Sequence, residues 1–131
     1  MHWRNRAFVA AALVYALLGG ALALWWLSGT APLGLNLPRM HGHLMTLGFV
    51  AMMIYGVGLH VLPRFSGRPL SSERLANLQF YLANAGLLLM LPGWAGGGSL
   101  WLHLGGGLAW LAMGLFAYNI VTTVRHYGPG G

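Results

Sequence analysis

The chain contains no cysteine and one acidic residue, Glu73, in 131 residues. The missing cysteine excludes disulfides, thiolate-bound zinc and cysteine-held iron–sulfur clusters. A single carboxylate leaves no means of building a proton relay from acids inside a membrane. Charged residues of both signs make up only 6% of the chain and hydrophobic ones 57%. A soluble domain carries roughly 25% charged residues, so this composition is built for lipid. The formal charge of +6 is spread along the sequence. No basic face with interleaved aromatics forms, so nucleic acid is not an expected partner.

Four apolar runs stand out, at 8–27, 40–62, 75–91 and 100–124. Each is close to the roughly 20 residues that span a bilayer as a helix. The connections at 28–38, 63–74 and 92–99 are rich in Gly, Pro or Ser, as turns between helices are. The expected fold is all-α: residues 1–131 as a single transmembrane domain, a four-helix bundle. The first run follows Arg4 and Arg6, as a signal peptide's core would, but it is long for that role and ends in Trp25-Trp26. Tryptophans there suit an interface belt, so the segment reads as helix 1. Ser72 offers a cap and Glu73 a first-turn acid for helix 3.

Arginine placement suggests an orientation. Arg4 and Arg6 precede helix 1, Arg64, Arg68 and Arg74 fill the middle loop, and Arg125 follows helix 4. Only Arg39 lies on the other side. The positive-inside rule then places both termini and the middle loop in the cytoplasm, with a bacterial inner membrane as the expected location.

Histidines inside spans are costly and mark functional sites. His41 and His43 open helix 2, and His103 lies in the first turn of helix 4. On this topology His41 and His103 are each about ten residues, roughly 15 Å, to the outer side of the bilayer centre. A boundary histidine can simply hydrogen-bond water or a headgroup, but three at matching depth favour metal ligation. With no thiolate and one acid available, the expected metal is the iron of a b-type haem. Two imidazoles suit electron transfer, and one leaves a position open for a gas.

His41 and His43 are about 200° apart on a helix. His41 shares a stripe with Met45, Gly48, Met52 and Tyr55 or Gly56, whereas His43 shares one with Leu47, Val50, Ile54 and Val61. The first stripe suits close packing and the second suits lipid, so His41 is favoured as the inward ligand and His43 is the alternative. His103 lines up with Gly106, Gly107, Trp110, Gly114, Ala117 and Val121, where a porphyrin or another helix can approach. Arg39 is placed to pair with haem propionates. His60, at the far end of helix 2, is at most a ligand of a second, inner haem, and is more simply structural. His2 and His126 read as solvated. Asn77, Phe80, Tyr81 and Asn84 form a stripe explained by hydrogen bonding of asparagine to backbone between helices.

The stretch His41-Gly42-His43-Leu44-Met45-Thr46-Leu47-Gly48-Phe49, with Ile54-Tyr55-Gly56 and Leu62-Pro63-Arg64-Phe65-Ser66-Gly67, resembles helix II of haem-copper oxidase subunit I. It is similar also to the NnrS family and to short subunit-I-like membrane proteins. Asn119 and Thr122-Thr123 resemble the end of a later subunit I helix. The resemblance covers most of 39–123 and implies that His41, or His43 after a two-residue shift, is an axial ligand of a low-spin haem. Through NnrS it implies haem, copper and a link to nitric oxide. The chain lacks the later helices that carry the oxidase's copper ligands and its second low-spin ligand, and His103 matches no oxidase ligand. Oxygen reduction and proton pumping are therefore not expected, nor is an enzyme.

The expectation is a b-type haem protein for electron transfer, a homodimer in membrane lipid, with a quinol or a cytochrome as redox partner. The rival readings are a gas-binding or gas-sensing haem protein, a copper-binding protein using His41, His43 and nearby methionines, and a cofactor-free accessory subunit of a respiratory complex.

Overall fold

The structure, a computed structural model, describes residues 1–125. His126 lies outside them. Four helices are long and apolar enough to cross a membrane: α1 (Trp3–Leu27), α2 (Leu37–Phe65), α3 (Glu73–Gly97) and α4 (Ser99–Val124). They form the expected all-α four-helix bundle, and no strand occurs among the described residues.

The helices outrun the apolar runs, because side chains hold their polar ends. Nδ1 of His2 accepts from the Arg4 amide at 3.3 Å, Oδ1 of Asn36 from the Arg39 amide at 3.3 Å, and Oγ of Ser72 from the Leu75 amide at 3.2 Å. Each bond satisfies a donor that a helix start leaves unpaired. Proline does not stop these helices where the sequence reading placed turns. Pro38 sits in the first turn of α2, where its missing N–H costs nothing. Pro63 and Pro92 sit within helical turns near the ends of α2 and α3. The Pro63 carbonyl is satisfied by Oγ of Ser66 at 2.9 Å and by the Arg68 amide at 3.1 Å.

Neighbouring helices alternate in direction. At one end Arg4 of α1 reaches Glu73 of α3, and Asn119 of α4 clamps the Ser72 backbone by accepting its N–H at 2.9 Å and donating to its carbonyl at 2.8 Å. Nearby, the Ser71 amide donates to Oγ1 of Thr123 at 3.0 Å. At the other end the Asn36 amide donates to the Trp94 carbonyl at 3.0 Å, tying the start of α2 to the end of α3. Arg4, Arg6, Arg64, Arg68, Arg74 and Arg125 therefore share one end of the bundle, and Arg39 stands at the other.

Glycine sets the closest approaches. A Cβ on Gly105 of α4 would lie 2.5 Å from the Gly86 carbonyl oxygen of α3, and one on Gly86 would lie 2.6 Å from the Ala109 nitrogen. Backbones this close need a small residue on both sides. Between α1 and α2 the same role falls to Gly48, where a Cβ would meet Tyr15 Cβ at 2.6 Å. An aromatic cluster links all four helices: Phe8 packs edge-on to Tyr55 (5.5 Å between centroids) and to Phe80 (4.9 Å), and Tyr55 meets Phe116 at 4.9 Å.

Across Leu44–Ala51, just after the two histidines, α2 widens into a π-helix. Thr46 Oγ1 donates to the Gly42 carbonyl at 2.8 Å, competing with the ordinary main-chain donor in the turn that enters this segment. Such wide turns occur often at functional sites.

Candidate functional site

Of the residues singled out from the sequence, Arg39, His41, His43 and His103 lie at one end of the bundle and His60 at the other. His41 is half-buried, and its Nδ1 lies 2.8 Å from the carbonyl oxygen of Gly19 on α1. A carbonyl has no proton to give, so Nδ1 carries the hydrogen and the neutral ring keeps its lone pair on Nε2. Backbone anchoring of one ring nitrogen is how proteins fix the ring and tautomer of a metal-ligating histidine. Beside His41, Gly20 and Gly42 border open space: a Cβ on either would meet nothing within 4 Å.

The inward stripe behaves as expected. Gly48, Met52, Tyr55 and Gly56 are buried, and Met45 packs against Gly19. The outward assignment of the His43 stripe holds only in part, since Leu47, which packs against the core, and Val61 are half-buried. Val50 and Ile54 are exposed, but His43 is half-buried, with its ring 4.3 Å from that of Trp94. Its Nδ1 donates to the Arg39 carbonyl at 2.9 Å. The bond between Asn36 and Trp94 brings the end of α3 over His43, and the π-helix then changes the register, so the stripe does not continue straight from His43 to Ile54. Arg39 itself is exposed.

His103 does not join this group within one chain. Its Nδ1 donates to the carbonyl of Ser99, four residues back, at 2.7 Å, and the side chain is exposed. The face of α4 that packs on α3 is buried at Gly105, Ala109, Ala112, Asn119 and Thr123. His103 lies on the opposite face with Gly107, Trp110, Gly114, Ala117 and Val121, all exposed. The glycines of that stripe are thus open, and the close helix contact is made by Gly105, which the stripe argument passed over. His41 and His103 point to different surroundings.

His60 is half-buried at the other end, beside His2, Arg4 and Arg64. His2 is exposed, with Nε2 3.9 Å from a Glu73 oxygen. The Asn77–Asn84 stripe does bond between helices, though to side chains: Arg4 Nη1 donates to Asn77 Oδ1 at 2.9 Å, and the Tyr15 hydroxyl to Asn84 Oδ1 at 2.8 Å. Sequence reasoning missed two polar features. Arg4, read only as a topology signal, is 1% exposed and bonded to Glu73 at 2.7 Å. Gln79, wholly buried on α3, has neither amide atom in a hydrogen bond among the described residues.

Chemically, the Arg39 end offers imidazole nitrogens whose ring partners are already fixed. Among the described residues no three His or acidic side chains cluster as they would to cage a bare metal ion. A haem asks for less, because the porphyrin supplies the equatorial ligands and the protein only the axial ones.

Comparison with known proteins gives one informative similarity. The chain is 33% identical over 95 residues to the cbb3-type cytochrome c oxidase subunit CcoN1 of Stutzerimonas stutzeri, covering 69% of this chain and 19% of that protein. The chain thus spans about a fifth of the length of this relative. The similarity is a distant relationship to haem-copper oxidase subunit I, in keeping with a multi-pass membrane protein. No family model matches the chain. No solved structure matches it.

Proposed function

We propose that this protein holds a b-type haem near the Arg39 end of its bundle and passes electrons through it. The observation that carries the reading is His41: an intramembrane imidazole, fixed through Nδ1 by the Gly19 carbonyl and left with a free Nε2 beside open glycines. It lies in the stretch that resembles oxidase helix II, and the distant similarity to an oxidase subunit supports the same class of work. Residues and group fit in chemistry, since a neutral imidazole is an ordinary axial ligand. The bound haem supplies a one-electron couple. The chain's part is to hold the ligand ring in one tautomer, to keep the site in a low-dielectric layer and to offer Arg39 to the propionates.

His103 is the second ligand in this reading. Because it lies on the face of α4 opposite the buried one, it would serve a haem held by His41 of a second copy, and the working unit in this reading is a homodimer. His43, against Trp94, is the substitute ligand if His103 is dispensable. The protein sits in the bacterial inner membrane with both termini cytoplasmic, takes electrons from a quinol or a cytochrome, and does not itself reduce oxygen. The NnrS-like alternative, binding of nitric oxide or another gas, applies if His41 ligates alone.

An absorption spectrum of the purified protein tests this. A Soret band with sharp α and β bands on reduction is expected. Their absence after haem-replete expression would overturn the reading in favour of a cofactor-free or copper-binding role.

A further inference from the structure

A second site lies at the opposite end of the bundle and does not depend on the haem. A cavity of about 360 Å³ opens there, with His2, Arg4, His60, Arg64, Arg68 and Glu73 among its walls. Arg4 and Glu73 neutralise each other: Nη1 of Arg4 donates to the Glu73 carboxylate at 2.7 Å and to Oδ1 of Asn77 at 2.9 Å. Arg64 and Arg68 are left over. Both are exposed, and neither guanidinium has an ion pair or hydrogen bond among the described residues. Since Glu73 is the chain's one acidic side chain, no other carboxylate side chain can neutralise them.

The backbone brings these groups to one place. His60 and Arg64 are four residues apart on α2, so their side chains stand on the same face. After α2, Gly67 adopts a φ of +65° and the Arg68 amide donates to the Pro63 carbonyl at 3.1 Å. That turn folds Arg68 back over the helix end, to the wall that Arg64 already occupies. We infer that this cavity binds a phosphate-bearing anion, met by the guanidinium groups of Arg64 and Arg68 with His60 as a further donor. Guanidinium forks match phosphate oxygens in pairs, and phosphates concentrate at the membrane edge where this cavity opens. The same chemistry can come from an anionic lipid headgroup or from free phosphate.

The test uses the full chain in detergent, with native mass spectrometry counting retained phosphatidylglycerol, cardiolipin or phosphatidylcholine. The variant Arg64→Gln/Arg68→Gln is compared with Arg6→Gln/Arg74→Gln, which has the same net charge but alters exposed arginines outside the cavity. Wild-type protein should retain one anionic lipid at least about tenfold more strongly than phosphatidylcholine. At about fivefold per arginine the cavity variant should weaken that binding roughly 25-fold, whereas the control changes by less than about threefold. If inorganic phosphate instead raises the melting temperature of delipidated wild type and control, but not of the cavity variant, the anion is free phosphate and the site stands. Equal losses in both variants would reduce the effect to diffuse surface charge and overturn the proposal. So would indifference to both anionic lipid and phosphate. Should the double variant fail to fold, Arg68→Gln alone, in the loop after α2, carries the test with a fivefold expected loss.

Discussion

Arg4 and Glu73 form an ion pair whose two ends stand in different media, and breaking it from either end predicts losses that do not add. The Arg4 side chain is 1% exposed and that of Glu73 56%. Glu73→Gln leaves a guanidinium buried against neutral oxygens of Asn77 and Asn5. Removing one partner of a fully buried pair costs about 3–5 kcal/mol. Because Glu73 is half in solvent, its share of the attraction is screened, and about 2–3 kcal/mol is the expected loss. Arg4→Met leaves a carboxylate that can turn to water, a loss in the surface-pair range of about 0.2–1 kcal/mol. Adding about 1 kcal/mol for each of the Asn77 and Asn5 oxygens left without its donor gives roughly 2–3 kcal/mol, so the two single variants should cost alike. Arg4→Met/Glu73→Gln, with no charge left, should be more stable than Glu73→Gln alone. Denaturant titration of the three variants in one mixed-micelle system reads the order. A double variant as costly as the two single losses added together would refute the reasoning.

Further predictions concern packing, topology and ligation. Gly105→Leu should destabilise by at least about 1–3 kcal/mol, since even a Cβ meets the Gly86 carbonyl at 2.5 Å, whereas Gly107→Ala, in open space, should be neutral or gain up to about 1 kcal/mol; melting curves separate the two. Single cysteines placed at 28–38 should be labelled from outside the cell and those at 66–72 only after permeabilisation, with the reverse pattern inverting the topology. Reduced protein should bind carbon monoxide slowly or not at all, because a gas must displace an imidazole; rapid stoichiometric binding, read as a Soret shift, promotes the gas-binding reading.

What was legible in the sequence follows from what periodicity reports. The four spans are readable because lipid demands long apolar runs whatever the packing. Their polar ends were not, since Arg4 looks like any basic flank until Glu73, 69 residues away, is seen to bond it. The His41 stripe read correctly because it faces α1 throughout, Gly19 taking both Met45 and the His41 ring. The His43 stripe held only at Val50 and Ile54: a strict 3.6-residue period cannot register the π-helix at Leu44–Ala51, which turns Leu47 toward the core, or anticipate Trp94. On α4, glycines occur on two faces, and composition does not say which is used. Gly105 meets Gly86 at backbone distance, while Gly107 and Gly114 meet nothing within 4 Å. Equal depth of His41 and His103 therefore does not carry shared facing within one chain. Depth is set by position along the helix and facing by rotation about it, and only the first is fixed by counting residues from a span's end.

The central claim is that His41 holds haem. Haem per protein, measured on purified wild type, His41→Ala and His60→Ala, tests it most directly. The account predicts that His41→Ala loses most of the haem and its reduced α and β bands, whereas His60→Ala, at the far end of α2, keeps both. Wild-type haem content in His41→Ala would contradict it.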